Sequence, residues 1–481
     1  MYVLAGQNTR VGWPGGVAGR GADLREDSPM LTVDALTELV TSGDVDTVLV
    51  VFADMQGRFM GKRVQADFFV AELPNNGGSV EACNYLLAVD VDMAVLEGFR
   101  FANWESGYGD FVCRPDLSTL RVVPWLDRTA LVICDLFDLD GSPVEVSPRR
   151  ILQRQVERAA ALGYTVKCGT ELEFFLYDDS YDEAWKKNFR DLTTSSNYVQ
   201  DYHILQTTKD EWLVRDIRNS MAGAGIPVEF SKGEAGVGQH ELNIRYDEAL
   251  TCADHHTIYK NGAKEIAALR GCSITFMAKP SIEDVGSSCH IHSSVWTADG
   301  ATSLMAGDGP HHLSATFDGW MGGLQATAAE FSYLGAPYVN SYKRYQPGSW
   351  APTAIGWGLD NRTLGLRVVG HGQGMRVESR IPGADCNPYL ALAATIAGGL
   401  HGIETGLTAG EPYSGNGYEA DLPRIPHTLV DSIAAFDSSD IARASFGDDV
   451  HEHLVHLARA EWSAFNNTVT DWELRRGFER L

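Results

Sequence analysis

One run, Cys168-Gly169-Thr170-Glu171-Leu172-Glu173-Phe174-Phe175-Leu176, limits the folds open to this chain more than any other. Successive side chains of a strand point to opposite faces, so Gly169, Glu171 and Glu173 share one side while Leu172 and Phe174 take the other. Two carboxylates so placed repel, and near neutral pH they need water, a cation or a proton to relieve that repulsion. Alone, the pair reads as a solvated strand face. Three later stretches repeat the form.

In the first of these, Glu229 to Tyr246, glycines at 233, 236 and 238 bend the chain around Glu234, and Glu241, Asn243 and Arg245 then alternate with Leu242 and Ile244. Next, Gly286-Ser287-Ser288-Cys289-His290-Ile291-His292-Ser293-Ser294 sets His290, His292 and Ser294 on one face. Last, Arg344 and Arg362 precede a run in which Arg376, Glu378 and Arg380 share a face, a carboxylate between two guanidinium groups. Taken singly, that run is a salt-bridge ladder. His451, His453 and His456 read as a solvated helix face.

The chain between and around these stretches divides into an extension at 1–30, a small α+β unit at 31–142 and a larger unit at 143–481. A helix near 33–40 leads into a strand at 47–52, which returns through Asp54-Met55-Gln56-Gly57-Arg58 as a hairpin. Strands follow at 120–124 and 130–136. Pro148 opens a helix that feeds the acidic strand, residues 178–210 read as a long loop, and 428–480 as terminal helices. No run of about 18 apolar residues and no leader pattern occurs, so a cytoplasmic location is the expectation. Eight cysteines without CxxC spacing argue against a zinc knuckle or a disulfide framework. A formal charge of −25 argues against nucleic acid and suits small cations, whether metals or amines.

Together the strands define a concave polar sheet holding Glu171, Glu173, Glu234, Glu241, Glu378 and His290. Five carboxylates converging in a partly dry bowl repel by several kcal/mol per close pair and therefore call for divalent cations. Oxygen-dominated ligation with one imidazole points to Mg²⁺ or Mn²⁺ rather than zinc. Arginines beside them suit carboxylates and phosphates. The combination suggests phosphoryl transfer from a nucleotide to a carboxylate, with no P-loop to cradle the phosphates.

The order and spacing of these groups resemble the bacterial glutamine synthetase family from about residue 31 to the C-terminus. The resemblance implies an α+β fold, a β-grasp domain followed by a catalytic antiparallel sheet bowl with helices, and a homo-oligomer of stacked rings, a dodecamer. It implies two or three Mg²⁺ or Mn²⁺ per site, one on Glu173, Glu234 and Glu241 and another on Glu171, His290 and Glu378. Gly286, Arg344 and Arg380 would bind glutamate. Glu229, Tyr246, His292, Ser294, Arg362 and Arg376 would bind ATP, with Arg362 at the transferred phosphoryl group. The family's chemistry passes through γ-glutamyl phosphate, which an amine then attacks.

Departures from the family pattern cluster at the second substrate. Trp350 stands where glutamine synthetases carry a flap Glu that closes the ammonium pocket. The Asp-Gly-Ser-Ser segment has no counterpart at 79–87, although Asp110 resembles a nearby family acid, and Val285 replaces an Asn. The pattern favours ligation of glutamate to a primary amine, such as a polyamine or ethanolamine, with Trp350 lining the pocket and Glu234 or Glu81 as base. The alternatives are a glutamine synthetase using ammonium and a non-catalytic assembly protein of the same fold.

Overall fold

The computed structural model describes residues 30–481, so the expected extension lies outside the described residues apart from Met30. The helix Val33–Ser42 is capped at one end by Thr32, whose side chain accepts from Ala35 N, and ends at Gly43 in the left-handed conformation. Strand β1 (Thr47–Ala53) is apolar and buried from Val48 onward because it lies inside a sheet. Its neighbours are β2 (Phe59–Gln65), β3 (Val80–Cys83), β4 (Asp110–Pro115), β5 (Arg121–Val122) and β6 (Thr129–Phe137), in the order β2-β1-β6-β4-β3 with β5 against β6. The expected hairpin pairs in register from Thr47 opposite Gln65 to Ala53 opposite Phe59. Strands β1 and β6 run parallel, which gives the mixed sheet of a β-grasp unit.

The hairpin turn also reaches the second unit. Asp54 accepts from the backbone N–H of Gln56 and Arg58, and Asn387 Nδ2 donates to the carbonyls of Asp54 and Met55, both at 3.1 Å. Gly57 has φ +76°, and a Cβ there would lie 3.2 Å from Asn387 Cα. Both facts select glycine.

A helix, Pro148–Ala161, then delivers the chain to β7 (Tyr164–Tyr177), the centre of a second sheet. Its other members are β8 (Val228–Gly233), β9 (Gln239–Ile244), β10 (Asp247–Glu248), β11 (Ser273–Thr275), β12 (Cys289–Thr297), β13 (Trp357–Leu359), β14 (Leu366–Val369) and β15 (Arg376–Ser379). The order is β13-β14-β15-β12-β7-β9-β8, with β10 and β11 on β7. Pairing is antiparallel except between β13 and β14, which run parallel at the sheet's end, a departure from an all-antiparallel bowl. Helices Pro148–Ala161 and Ala249–Arg270 pack on β7, Pro388–Thr405 packs on those two helices, and His256 Nδ1 lies 3.1 Å from Thr170 Oγ1 on the rear of β7.

Two expectations fail here. The stretch 178–210 is not one loop: Ser180 and Glu183 form a capping box on the helix Tyr181–Lys186, and Ile204–Gly223 is helical. The buried apolar positions of that second helix, Leu213, Val214, Ile217 and Met221, come late in it, while Ile204 and Leu205 at its start are exposed and Gln206 and Asp210 are buried, which breaks the apolar period. The histidines of the helix Asp448–Asn466 are not a solvated face either. His451 is buried, stacks on Phe436 and contacts its carbonyl at 3.0 Å, while His453 meets Leu87 O at 2.9 Å and His456 meets Glu97 O at 2.7 Å. The last two fasten the terminal helix to the N-terminal unit.

Arg149 supplies the deepest link between the two units. Its guanidinium contacts Asp254 at 2.9 Å, Asp135 at 2.5 Å and Asp116 at 2.8 Å, and Tyr389 Oη donates to Asp254 at 2.6 Å. Arg149 and Asp254 are 3% and 5% exposed, so removing one leaves the other charge buried without its partner. Arg149→Ala is expected to cost about 3–5 kcal/mol of stability in denaturant unfolding, and a loss below about 1 kcal/mol would show that the network is not a strut.

Candidate active site

Strand register assembles the site in three rows across the open face of the second sheet. Arg367, Glu378, His292 and Gly169 lie opposite one another across β14, β15, β12 and β7. His290, Glu171, Asn243 and Phe230 follow across β12, β7, β9 and β8. Glu173, Glu241 and Lys232 form the third row, with Glu234 just past the last residue of β8. Alternation in one strand thus becomes a two-dimensional lattice of charge.

Two clusters result. Carboxylate oxygens of Glu173, Glu234 and Glu241 lie within 4.8 Å of one another, and Glu171 and Glu378 meet His292 within the same limit. His290, expected in that second set, also touches both acids, at 3.1 Å from Glu171 and 3.6 Å from Glu378. Arg376 Nε donates to His292 Nδ1 at 3.1 Å, so Nε2 carries the proton given to Glu171 at 2.8 Å.

The clusters differ in electrostatics. Glu378 is fully buried, but burial is outweighed by His290, Arg380 and His292, which hold its carboxyl at about 2. Arg367 and Arg380 also grip its two oxygens at 2.6 and 2.5 Å. Glu171 is likewise held far below the usual range, with the hydrogen bonds of His290 and His292 overcoming desolvation. In contrast, burial and then the charge of Glu234 push Glu173 up to about 8, although Ser288 N, Ser288 Oγ and Gln239 Nε2 all donate to it. Burial raises Glu241 as well. Lys232 pairs with Glu234 and is the one lysine among the described residues that touches this cluster. Oxygen donors this close and this buried fit a divalent cation of the Mg²⁺ or Mn²⁺ kind, which would take the place of the proton.

A cavity of about 690 Å³ opens over these groups, lined also by Gly286, Arg344, Trp350, Arg362 and Arg380. A Cβ on Gly286 would lie 2.4 Å from Arg344 Cγ, so only glycine leaves room for that side chain. Arg344 is 2% exposed and gives Nη2 to the carbonyls of Arg380, Ile381 and Pro382. The Nε of Arg344 and that of Arg380 are buried without hydrogen-bond partners and are closed off from the cavity that the two residues line. Trp350 is half-exposed at φ +65°, a conformation strained for a bulky residue, and its carbonyl accepts from Arg380 Nη2 at 3.3 Å.

A second cavity of about 270 Å³ is lined by Glu229, Tyr246, His292, Ser294 and Arg376. Glu171, Phe230 and Asn243 line both cavities and join them. Gly169 opens this one, since a Cβ there would meet Tyr246 Cβ at 3.2 Å. Every expected nucleotide residue except Arg362 therefore lines one wall system, and Arg362 faces the neighbouring cavity.

Neither Glu81 nor Asp110 lines the cavities of this chain; both are exposed on β3 and β4. Sequence reasoning missed Arg367, Lys232, Gln239 and Ser288. Lys232 stands two residues before Glu234, the spacing of one strand face, which is the local signal for it.

The catalytic-domain model of glutamine synthetase matches residues 145–477. Gamma-glutamylethanolamide synthetase of Streptomyces coelicolor is 52% identical over 95% of this chain and 98% of its own length. Glutamate–isopropylamine ligase of a Pseudomonas species is 38% identical over 91% of this chain and 96% of its own. A solved GmaS/ADP complex superposes with a TM-score of 0.80 at 28% identity, covering 92% of this chain and 99% of that one. The chain belongs to the glutamine synthetase family.

Glu173 yields a pH prediction. The folded protein keeps a proton there up to about 8 that the unfolded chain releases near 4.5. Stripped of divalent cations, the protein is expected to lose stability as pH rises across that window, and added Mg²⁺ should raise the melting temperature most at its upper end. Glu173→Gln should flatten the fall; an equal slope in the variant would remove Glu173 as its source.

Proposed function

We propose that this chain joins the γ-carboxylate of glutamate to a primary amine at the expense of ATP, through γ-glutamyl phosphate. The carrying observation is the pairing of a complete carboxylate, imidazole and arginine set with Trp350 at the position of the flap acid. An indole has neither the carboxylate charge that closes an ammonium pocket nor a base to take the proton, yet it packs well against an alkyl stem. Relatives named for ethanolamide and isopropylamine ligation support the same reading.

In this reading the guanidinium groups of Arg344 and Arg380, which line the larger cavity, hold glutamate, with Gly286 allowing close approach. Glu229, Tyr246, His292, Ser294 and Arg376 seat ATP in the smaller cavity, which opens onto Glu171. An oxygen of the glutamate γ-carboxylate attacks the terminal phosphorus, the bond to ADP breaks, and Arg362 neutralises charge on the transferred group. The amine nitrogen then attacks the acyl carbon and phosphate leaves with its electron pair. The acceptor ammonium gives up one proton before attack and the amide nitrogen a second after it; Glu234 is the candidate base within the cavity. Glu173, Glu234 and Glu241 would hold one divalent cation, and Glu171, Glu378 and His290 or His292 another, supplying charge neutralisation for the phosphates. A homo-oligomer, a dodecamer by family resemblance, would also cover Trp472, Phe478 and Leu481, which are exposed here. A cytoplasmic location is in keeping with the absence, among the described residues, of a helix long and apolar enough to cross a membrane.

Phosphate release with ATP, glutamate and a panel of amines tests the reading. Alkylamines are expected to exceed ammonium in kcat/KM; preference for ammonium would make the protein a glutamine synthetase, and no release with any acceptor would favour a silent homologue. Trp350→Glu should shift preference toward ammonium by about tenfold, and unchanged preference would remove Trp350 from the pocket.

A further inference from the structure

We propose that the Lys232 ammonium, fixed where Asp201, Tyr202 and Glu234 meet, selects acceptor amines with a single positive charge and rejects those carrying a second cationic centre. This inference rests on the glutamate–amine ligase reading and assigns its specificity to one residue.

Register puts Lys232 there. It faces Glu241 across β8 and β9, on the same side of the sheet as the carboxylates, with its side chain 18% exposed. Its Nζ pairs with Glu234, lies 3.7 Å from Asp201 Oδ1 and sits 4.4 Å from the centre of the Tyr202 ring. The corner is braced from behind. Tyr202 N donates to Gly233 O at 3.2 Å, and buried Gln200 donates to Gln239 O at 2.8 Å and contacts His240, which pairs with Asp210 at 2.9 Å. Lys232, Asp201, Tyr202 and Trp350 line the same cavity.

A pocket that welcomes a diammonium tail needs a free carboxylate or an open aromatic face at its far end. With Glu234 committed to the divalent cation, Asp201 is the carboxylate of this corner left to Lys232, and the same ammonium covers one face of the Tyr202 ring. A second ammonium arriving there meets a like charge in a half-enclosed site, the repulsive element that specificity against a close analogue requires. A neutral polar tail does not. A hydroxyl or amide oxygen accepts from Lys232, a hydroxyl can donate to Asp201, and the alkyl stem packs on Tyr202 and Trp350.

The test compares 1,4-diaminobutane with its mono-N-acetyl derivative near pH 7.5, where the former is a dication and the latter carries one charge. The readout is glutamate-dependent phosphate release by the purified full chain with Mg²⁺ and ATP. The wild-type protein is expected to favour the acetylated amine by at least about tenfold in kcat/KM, the ratio equivalent to one modest like-charge contact. Lys232→Met should bring the ratio to within about threefold, while Lys232→Arg should keep it. Equal use of the two amines by the wild-type protein, or a ratio that survives in Lys232→Met, overturns the assignment. Should Lys232→Met be silent with both, Asp201→Asn decides: with one counter-ion gone, Lys232 should widen the ratio, and an unchanged or narrower ratio overturns the proposal. Absence of release by the wild-type protein with every alkylamine is a different failure, that of the ligase reading itself.

Discussion

Repulsion among carboxylates on one sheet face is the constraint around which the rest of this structure is arranged. Three groups whose oxygens lie within 4.8 Å cannot all be ionised in a dry site without a cation, because each pair costs roughly 3–4 kcal/mol at an effective dielectric constant near 20. Half of the problem is solved by the protein. Glu378 has two arginines and Glu171 two imidazoles, so both remain charged. The other half is left open: Glu173 has only neutral hydrogen-bond donors, and Glu241 none but Lys232 nearby. The cluster beside the larger cavity is therefore the one whose charge state depends most on what binds, and the cluster between the cavities is set in advance.

Placing these groups requires a rigid sheet, and the helices behind it account for much of the remaining sequence. Helix Ala315–Thr327 packs on Pro388–Thr405 so closely that a Cβ at Gly402 would fall 2.0 Å from Gly319 O. That approach holds the Pro388–Thr405 helix, whose cap Asn387 also clamps the hairpin turn of the N-terminal unit. Arg149 ties the same two bodies through Asp116, Asp135 and Asp254. The binding face can then stay polar and open while the apolar side and the inter-unit contacts carry stability.

What the sequence made legible follows from the range of the interactions. Glu171 and Glu173 could be assigned to one face, and the hairpin at 47–65 drawn, because strand alternation and turn chemistry are local. Glu241 and Glu378 were found for the same reason. That Glu173 faces Glu241, or that Arg367 faces Glu378, depends on which strands pair and in what register, and nothing within a short window carries that information. His453 was misread because its partner, Leu87 O, is 366 residues away. Lys232 is the instructive omission: it stands two residues before Glu234, but a lysine beside acids reads as surface charge until the cavity around it is seen.

The flap joins this electrostatic frame to the choice of acceptor. Trp350 holds a left-handed backbone, which costs a bulky residue about 1–3 kcal/mol and persists only when its surroundings impose it. Two contacts do so: Arg380 donates to the Trp350 carbonyl, and Tyr418 donates to that of Ala351 at 3.1 Å. Arg380 also grips Glu378 and lines the larger cavity. One guanidinium thus touches the flap, the charged framework and the place where a substrate carboxylate would sit. An anion bound at that guanidinium would compete with the Trp350 carbonyl for its N–H groups. On this geometry the flap carbonyl, the buried Glu378 and the wall of the larger cavity share one side chain, so Arg380 cannot move without disturbing all three.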